Sequence, residues 1–129
     1  ARNVLTVAKA VGTAAALSGD RVHLGLAAGW MKEEFDLQNI DYHKRGKILD
    51  DMIPALRALW SGGWVEYHGA QIDFGPLMIE PHPAKQVPIW NGGHSDPALR
   101  RAANRLRAEI VEKPLINGDL FAAIRRSLA

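Results

Sequence analysis

Two short apolar stretches separated by one long amphipathic helix constrain the fold of this chain more than any other feature. Arg21 to Ala28 alternates Val22, Leu24 and Leu26 with His23, Gly25 and Ala27, the period of two that marks a strand. Val87 to Trp90 is a continuous apolar run of the buried-strand kind. Between them, from about Asp41 to Trp60, the residues Ile48, Leu49, Met52, Ile53, Leu56, Leu59 and Trp60 form an apolar stripe at helical spacing. Strands separated in this way pair in parallel through a right-handed crossover. Both run out at their C-terminal ends into glycine-containing loops, Gly29–Glu34 and Asn91–Ser95. Ligands of parallel α/β folds sit at that edge, so the topology predicts that the two loops face one common site.

The remaining elements fit around this pair. Arg2 to Leu17 places Val4, Val7, Ala8, Val11, Ala14 and Ala15 at helical spacing, and Gly19 is suited to the left-handed conformation that ends a helix. After the first strand, Gly29 to Phe35 turns into a helical stretch. Pro54 sits inside the long helix and should kink it. Ser61-Gly62-Gly63 ends that helix, and Trp64–Tyr67 with Gln71–Phe74 flank His68-Gly69-Ala70 as a short hairpin. Pro76 to Pro81 reads as extended, His82 to Gln86 as a loop, and Ala98 to Ala103 as helical. The predicted fold class is α/β.

With 129 residues, 47% hydrophobic and 23% charged, the chain has material for one ordinary globular domain and one core. It has no cysteine, which excludes disulfides, thiolate catalysis and thiolate metal sites. No apolar run approaches the roughly 20 residues of a membrane span, and no signal-like segment opens the chain, so a cytoplasmic protein without a membrane partner is expected. Net charge is only +2. Arg100, Arg101, Arg105 and Arg107 cluster without interleaved aromatics, which reads as a solvated helix face, and no nucleic-acid partner is expected. His43, His68 and His82 lack ligand spacing, and no metal is expected.

The loop Trp90-Asn91-Gly92-Gly93-His94-Ser95-Asp96-Pro97 carries the clearest chemistry. Two glycines let bare backbone approach an anion, Ser95 or Asp96 can cap the following helix, and Pro97 suits its first turn. Free N–H groups at a helix start favour a phosphate. The alternative is a strand-to-helix turn with ordinary capping.

Several of these segments together resemble the bacterial luciferase-like monooxygenase family. They are Arg21-Val22-His23-Leu24-Gly25-Leu26-Ala27-Ala28-Gly29-Trp30 with Glu33-Glu34-Phe35, then Arg45, Leu56-Arg57-Ala58-Leu59-Trp60, the Tyr67–Phe74 hairpin, Pro88-Ile89-Trp90-Asn91-Gly92-Gly93 and Ala98-Leu99-Arg100-Arg101-Ala102-Ala103. The resemblance spans residues 2–104 in the family's order and spacing. It implies an eight-stranded (β/α) barrel with an inserted hairpin, binding FMN or the deazaflavin coenzyme F-420 at its C-terminal mouth, with the Gly-Trp and Asn-Gly-Gly pieces closer to the deazaflavin users. By the same resemblance Asn91, Gly92, Gly93, His94 and Ser95 hold the cofactor phosphate. Trp30 and Glu33 border the ring or the substrate, and Gly29 lets the chain turn beside it. The alternatives are a core tryptophan for Trp30, helix stabilisation for Glu33 and a structural hydrogen-bonded role for His23.

A complete barrel needs about 250 residues. The fold expected here is therefore a partial (β/α)8 TIM-type barrel with parallel strands and an inserted β-hairpin. Residues 1–104 form the barrel segment, about its strands four and five. Residues 105–129 form a divergent tail, with a strand at Glu109-Ile110-Val111 and a helix from Gly118 to Leu128. The function implied is that of an oxidoreductase in which a reduced flavin or deazaflavin transfers hydride to, or oxygenates, a small organic substrate. A non-catalytic flavin-binding module and an inactive self-associating fragment are the alternatives. Exposed strand edges imply a homo-oligomer. No catalytic residue is assigned, because the strands that carry such groups in the family have no counterpart here.

Overall fold

The computed structural model describes residues 2–93 and 95–106, without the side chains of Arg105 and Leu106. His94 and the expected strand and helix within residues 107–129 lie outside the described residues. The chain opens with α1 (Val4–Ser18), then β1 (Leu24–Leu26), α2 (Lys32–Asp36), a 3-10 turn (Tyr42–Lys44) and α3 (Arg45–Leu59). An antiparallel hairpin of β2 (Val65–His68) and β3 (Asp73–Leu77) follows, then β4 (Ile89–Asn91) and α4 (Asp96–Arg101), which continues as a π turn over Ala102–Leu106.

Local chemistry sets the ends of α1. Asn3 caps it, its side-chain oxygen accepting from the N–H groups of Leu5 at 2.8 Å and Thr6 at 3.4 Å. Gly19 closes it at φ 64°, donating its N–H to Ala15 O. The buried face is Val7, Ala8, Val11, Gly12 and Ala15, whereas Ala14 of the predicted stripe is exposed. Gly12 is required by packing: a Cβ there would lie 2.4 Å from the carbonyl oxygen of Pro81, so α1 rests backbone to backbone on the loop before β4.

The predicted parallel pairing is present. β1 and β4 align Leu24 with Ile89, Gly25 with Trp90 and Leu26 with Asn91. The strand is shorter than the alternating run Arg21–Ala28 because, among the described residues, β1 has a partner on one side only and that partner is three residues long. Its alternation still decides burial: Val22, Leu24 and Leu26 pack against the core, and His23, Gly25 and Ala27 are exposed on the other face.

The core lies between that sheet and the two long helices. Ala8, Val11, Met52, Ile53, Leu56, Leu59, Trp60 and Ile89 are all buried in one cluster. Trp60 spans it, donating its indole N–H to Ala8 O at 3.2 Å and so tying α3 to α1. Pro54 lies inside α3, and the helix runs continuously through it. Arg101 departs from the solvated face read for the arginine cluster. It is 6% exposed, its Nε donates to Asp50 Oδ1 at 2.6 Å and its Nη2 to Gly46 O at 3.1 Å, which clamps α4 to α3.

The hairpin pairs Val65 with Leu77, Tyr67 with Phe74 and His68 with Asp73, with an irregularity between Val65 and Tyr67. β3 reaches Leu77 and so absorbs the start of the extended piece predicted from Pro76. Asp51 of α3 anchors the turn, its Oδ2 accepting from Gln71 N at 2.5 Å and Ile72 N at 3.2 Å.

On the outer face, His68 Nδ1 meets Asp73 Oδ1 at 2.5 Å, with Glu66 at 3.6 Å from Nε2. The hydrogen bond to Asp73 raises the His68 pKa above its ordinary value; desolvation opposes it, and the charge of Asp73 and the contacts with Glu66 add to it. The pair's contribution to stability is therefore fully present below the unfolded histidine pKa and is lost as pH rises through the raised, folded value. In Asp73→Asn the midpoint of the His68 ring-proton NMR titration should fall towards the ordinary histidine value. A midpoint unchanged by that substitution would remove Asp73 as the cause.

Candidate functional site at the C-terminal edge of the parallel strands

β1 and β4 end side by side, and their backbone pairing continues one step beyond the strands. Gly92 N donates to Leu26 O at 2.7 Å, and a Cβ on Gly92 would lie 3.2 Å from Ala27 Cβ. The loops that follow the two strands thus leave from one edge, as the topology predicts. The same bond engages the Gly92 N–H in the ladder, so a ligand at this edge meets Gly92 as a bare surface rather than as a donor.

Gly93 adopts φ +130°, a conformation that L side chains rarely take, and a Cβ on it would stand 2.9 Å from Ala98 Cβ. Ser95 occupies the N-cap position of α4, its carbonyl accepting from Leu99 N at 3.0 Å, and its side chain makes no capping bond. The Ser95 hydroxyl is therefore not spent on capping. Pro97 falls in the first turn, as its fixed φ favours, beside Asp96. Asn91 ties the loop down: its Nδ2 donates to Ala98 O at 3.0 Å, while its Oδ1 is the buried side-chain polar atom without a partner among the described residues. Gly92, Gly93 and Ser95 are exposed. The described part of the loop thus exposes the backbone of Gly92, Gly93 and Ser95, with Gly93 packed too closely on Ala98 to carry a side chain.

The loop after β1 supplies a different surface. Gly29 turns at φ +84° with the Phe35 ring 3.1 Å from where its Cβ would be, and Phe35 is buried. Trp30 is 79% exposed, so it is not the core tryptophan that the sequence left open. Its carbonyl oxygen accepts from the Tyr42 hydroxyl at 3.1 Å. Glu33 is exposed in the first turn of α2, together with Glu34, a position that suits the helix dipole as well as a ligand.

His23 and Trp90 share the exposed face of the sheet. Trp90 Nε1 donates to His23 Nδ1 at 3.0 Å and the rings stack with centroids 6.2 Å apart. That bond needs an unprotonated Nδ1 and so favours the tautomer with its proton on Nε2. The neighbouring hydrogen bond expected for His23 is present, though the ring lies on the exposed face. Among the described residues no cluster of His, Asp or Glu could hold a metal ion.

A cavity of about 430 Å³ adjoins this edge. It is walled by Thr6 and Ala10 of α1, by Gly25 of β1 and Ala27 just after it, and by Ile48 and Met52 of α3, and no residue of β4 lines it. It therefore runs along the side of β1 away from its partner. Tyr42, which supports the Trp30 loop, is not singled out in the sequence, and Arg45 beside it enters there only through the family resemblance. The available signal is an aromatic residue three positions before an arginine at a helix start.

A sequence model of the family described as luciferase-like monooxygenase matches residues 1–111. An uncharacterized protein of Mycobacterium tuberculosis is 42% identical over 97 residues, covering 75% of this chain and 34% of that protein. A second Mycobacterium tuberculosis protein, also named as uncharacterized, is 32% identical over 89 residues, covering 68% and 32%. An FMNH(2)-dependent dimethylsulfone monooxygenase of Pseudomonas fluorescens is 25% identical over 121 residues, covering 92% of this chain and 32% of that enzyme. The chain thus spans about a third of the length of the curated relatives it matches.

Proposed function

Because the chain belongs to the luciferase-like monooxygenase family, we propose that it is the part of a flavin- or deazaflavin-dependent oxidoreductase that holds the phosphate of its cofactor. The observation that carries this reading is the bare cradle at Gly92–Ser95, set by one backbone bond beside the loop that presents Trp30. FMN is the first candidate, given the named cofactor of the Pseudomonas relative, and coenzyme F-420 is the second. When bound, either supplies the two-electron chemistry, acting on a small organic substrate.

The chain's own residues bind and orient. The backbone of Gly93 and Ser95, with the Ser95 hydroxyl, faces the phosphate. Asp96 in the first turn of α4 opposes a negative charge further along, which keeps the anion over residues 93–95. His94, between them in sequence, belongs to the same proposed grip. Asn91 fixes the loop by donating from Nδ2 to Ala98 O. Trp30 offers an apolar plane and Glu33 an exposed carboxylate on the neighbouring loop.

The fold proposed around this site is a segment of a (β/α)8 barrel with the β2–β3 hairpin as its insertion. The open side of β1 and the cavity along it support this, since a sheet edge lined with apolar surface calls for a further strand. A second copy of the chain would meet the same need, which is the basis for proposing a homo-oligomer.

Titration of the 129-residue chain with FMN and with F-420, followed by ligand fluorescence, should give saturable binding of at least one. Sedimentation of the same samples should show more than one copy per particle. If neither cofactor saturates, the cofactor-holding reading of this chain fails; if only monomer sediments, closure by a second copy fails.

A further inference from the structure

We propose that Tyr42 is a positioning residue for this site: its hydroxyl holds the Trp30 backbone so that the exposed indole stands ready beside the glycine cradle as a platform for a planar aromatic ring. The proposal rests on the cofactor-holding reading given above. Trp30 gains little from burial, being 79% exposed, yet its backbone is tied to a residue twelve positions on by the 3.1 Å bond from Tyr42 Oη to Trp30 O. An exposed indole on an untied loop would be free to fold down over nearby apolar surface. The tie opposes that.

Tyr42 can act as a strut because it is itself held on several sides. Its ring meets Phe35 edge-on with centroids 5.3 Å apart, and Phe35 is 2% exposed and wedged under Gly29. The Arg45 guanidinium lies 3.9 Å from the tyrosine ring centroid, and Arg45 Nη1 donates to Tyr42 O at 3.0 Å. Asp41, just before it, fixes the start of the 3-10 turn by accepting from His43 N at 2.9 Å. A continuous path thus runs from the core at Phe35 through the tyrosine ring to the Trp30 carbonyl. Ala27, three residues before Trp30, lies beside Gly92, so the loop that carries the platform and the loop of the glycines leave one sheet edge. A ring stacked on Trp30 and a phosphate over Gly93 describe one elongated ligand with an aromatic end and an anionic end.

Tyr42→Phe removes only the hydroxyl and leaves the contacts with Phe35 and Arg45. In protein labelled with 5-fluorotryptophan, the 19F line assigned to Trp30 by its loss in Trp30→Phe should shift and sharpen in Tyr42→Phe, while the lines of Trp60 and Trp90 stay in place. FMN affinity should weaken about fivefold, the worth of one ordinary hydrogen bond. Arg45→Ala, which keeps the hydroxyl but loosens the ring, should move the Trp30 line in the same direction by less.

A Trp30 line that superimposes on that of the parent in Tyr42→Phe overturns the proposal. So does a line that moves while FMN affinity stays the same, because the strut would then serve no ligand. If the parent chain binds no FMN, the cofactor-holding reading has failed separately, and the Trp30 line alone decides whether the strut exists.

Discussion

Gly93→Ala is expected to weaken FMN binding by about tenfold or more, equivalent to about 1.4 kcal/mol. Two effects act together at this residue. At φ +130° an alanine is strained, and the backbone must leave that conformation or bear a cost of about 1–3 kcal/mol. The new methyl would also stand 2.9 Å from Ala98 Cβ, a side chain with no rotamer into which it can retreat. Relief therefore comes from the loop itself, which swings away from α4 and strains the Asn91–Ala98 tie. The backbone of Gly93 and Ser95 would then lose the placement proposed for holding the phosphate.

The buried core of α1 and α3 does not touch residue 93, so the cooperative unfolding transition should survive the change. Parallel FMN titrations of parent and variant, with thermal melts of both, are the measurement. Equal affinities would exclude this loop as the grip, whatever the cofactor.

Trp60→Ala should cost about 3–5 kcal/mol of stability, read from urea denaturation of parent and variant. Trp60 is the largest of the side chains below 2% exposure, and its removal leaves a cavity between α1, α3 and the loop before β4. It also deletes the indole N–H bond to Ala8 O, which links two helices far apart in sequence. Trp60→Phe separates the two contributions, since it keeps most of the ring and loses the bond. It should cost markedly less than the alanine variant. Against a total of about 5–15 kcal/mol for an ordinary domain, that loss is a large share of the whole, and the urea midpoint of the alanine variant should fall accordingly. A change below about 1 kcal/mol would mean that this contact is not central to the core.

The sequence carried the parallel pair because alternation at Val22, Leu24 and Leu26 and the continuous run at Val87–Trp90 are direct marks of burial. Strand length was not legible, since a ladder ends where its partner ends and β4 is short. The hairpin was visible from its turn residues, whereas its register depends on an irregularity at residues 65–67 that no local residue announces. Arg101 shows the other limit. In sequence it is one of a run of arginines, and only the approach of Asp50 and Gly46 from α3 makes it a buried clamp. At the site, the glycines and the exposed loop could be read from residue type. The support from Tyr42 could not, because it joins residues through a backbone carbonyl, which has no signature of its own.

The short bond from Gly92 N to Leu26 O has an evolutionary consequence. It joins the two loops through main-chain atoms alone, at a point where neither residue's side chain takes part. Residues 27, 28 and 31 on the facing loop can therefore drift, within the space available, without separating the loops. A lineage built on this edge could vary those positions one at a time while keeping the two loops joined, since no codon change there deletes a peptide group.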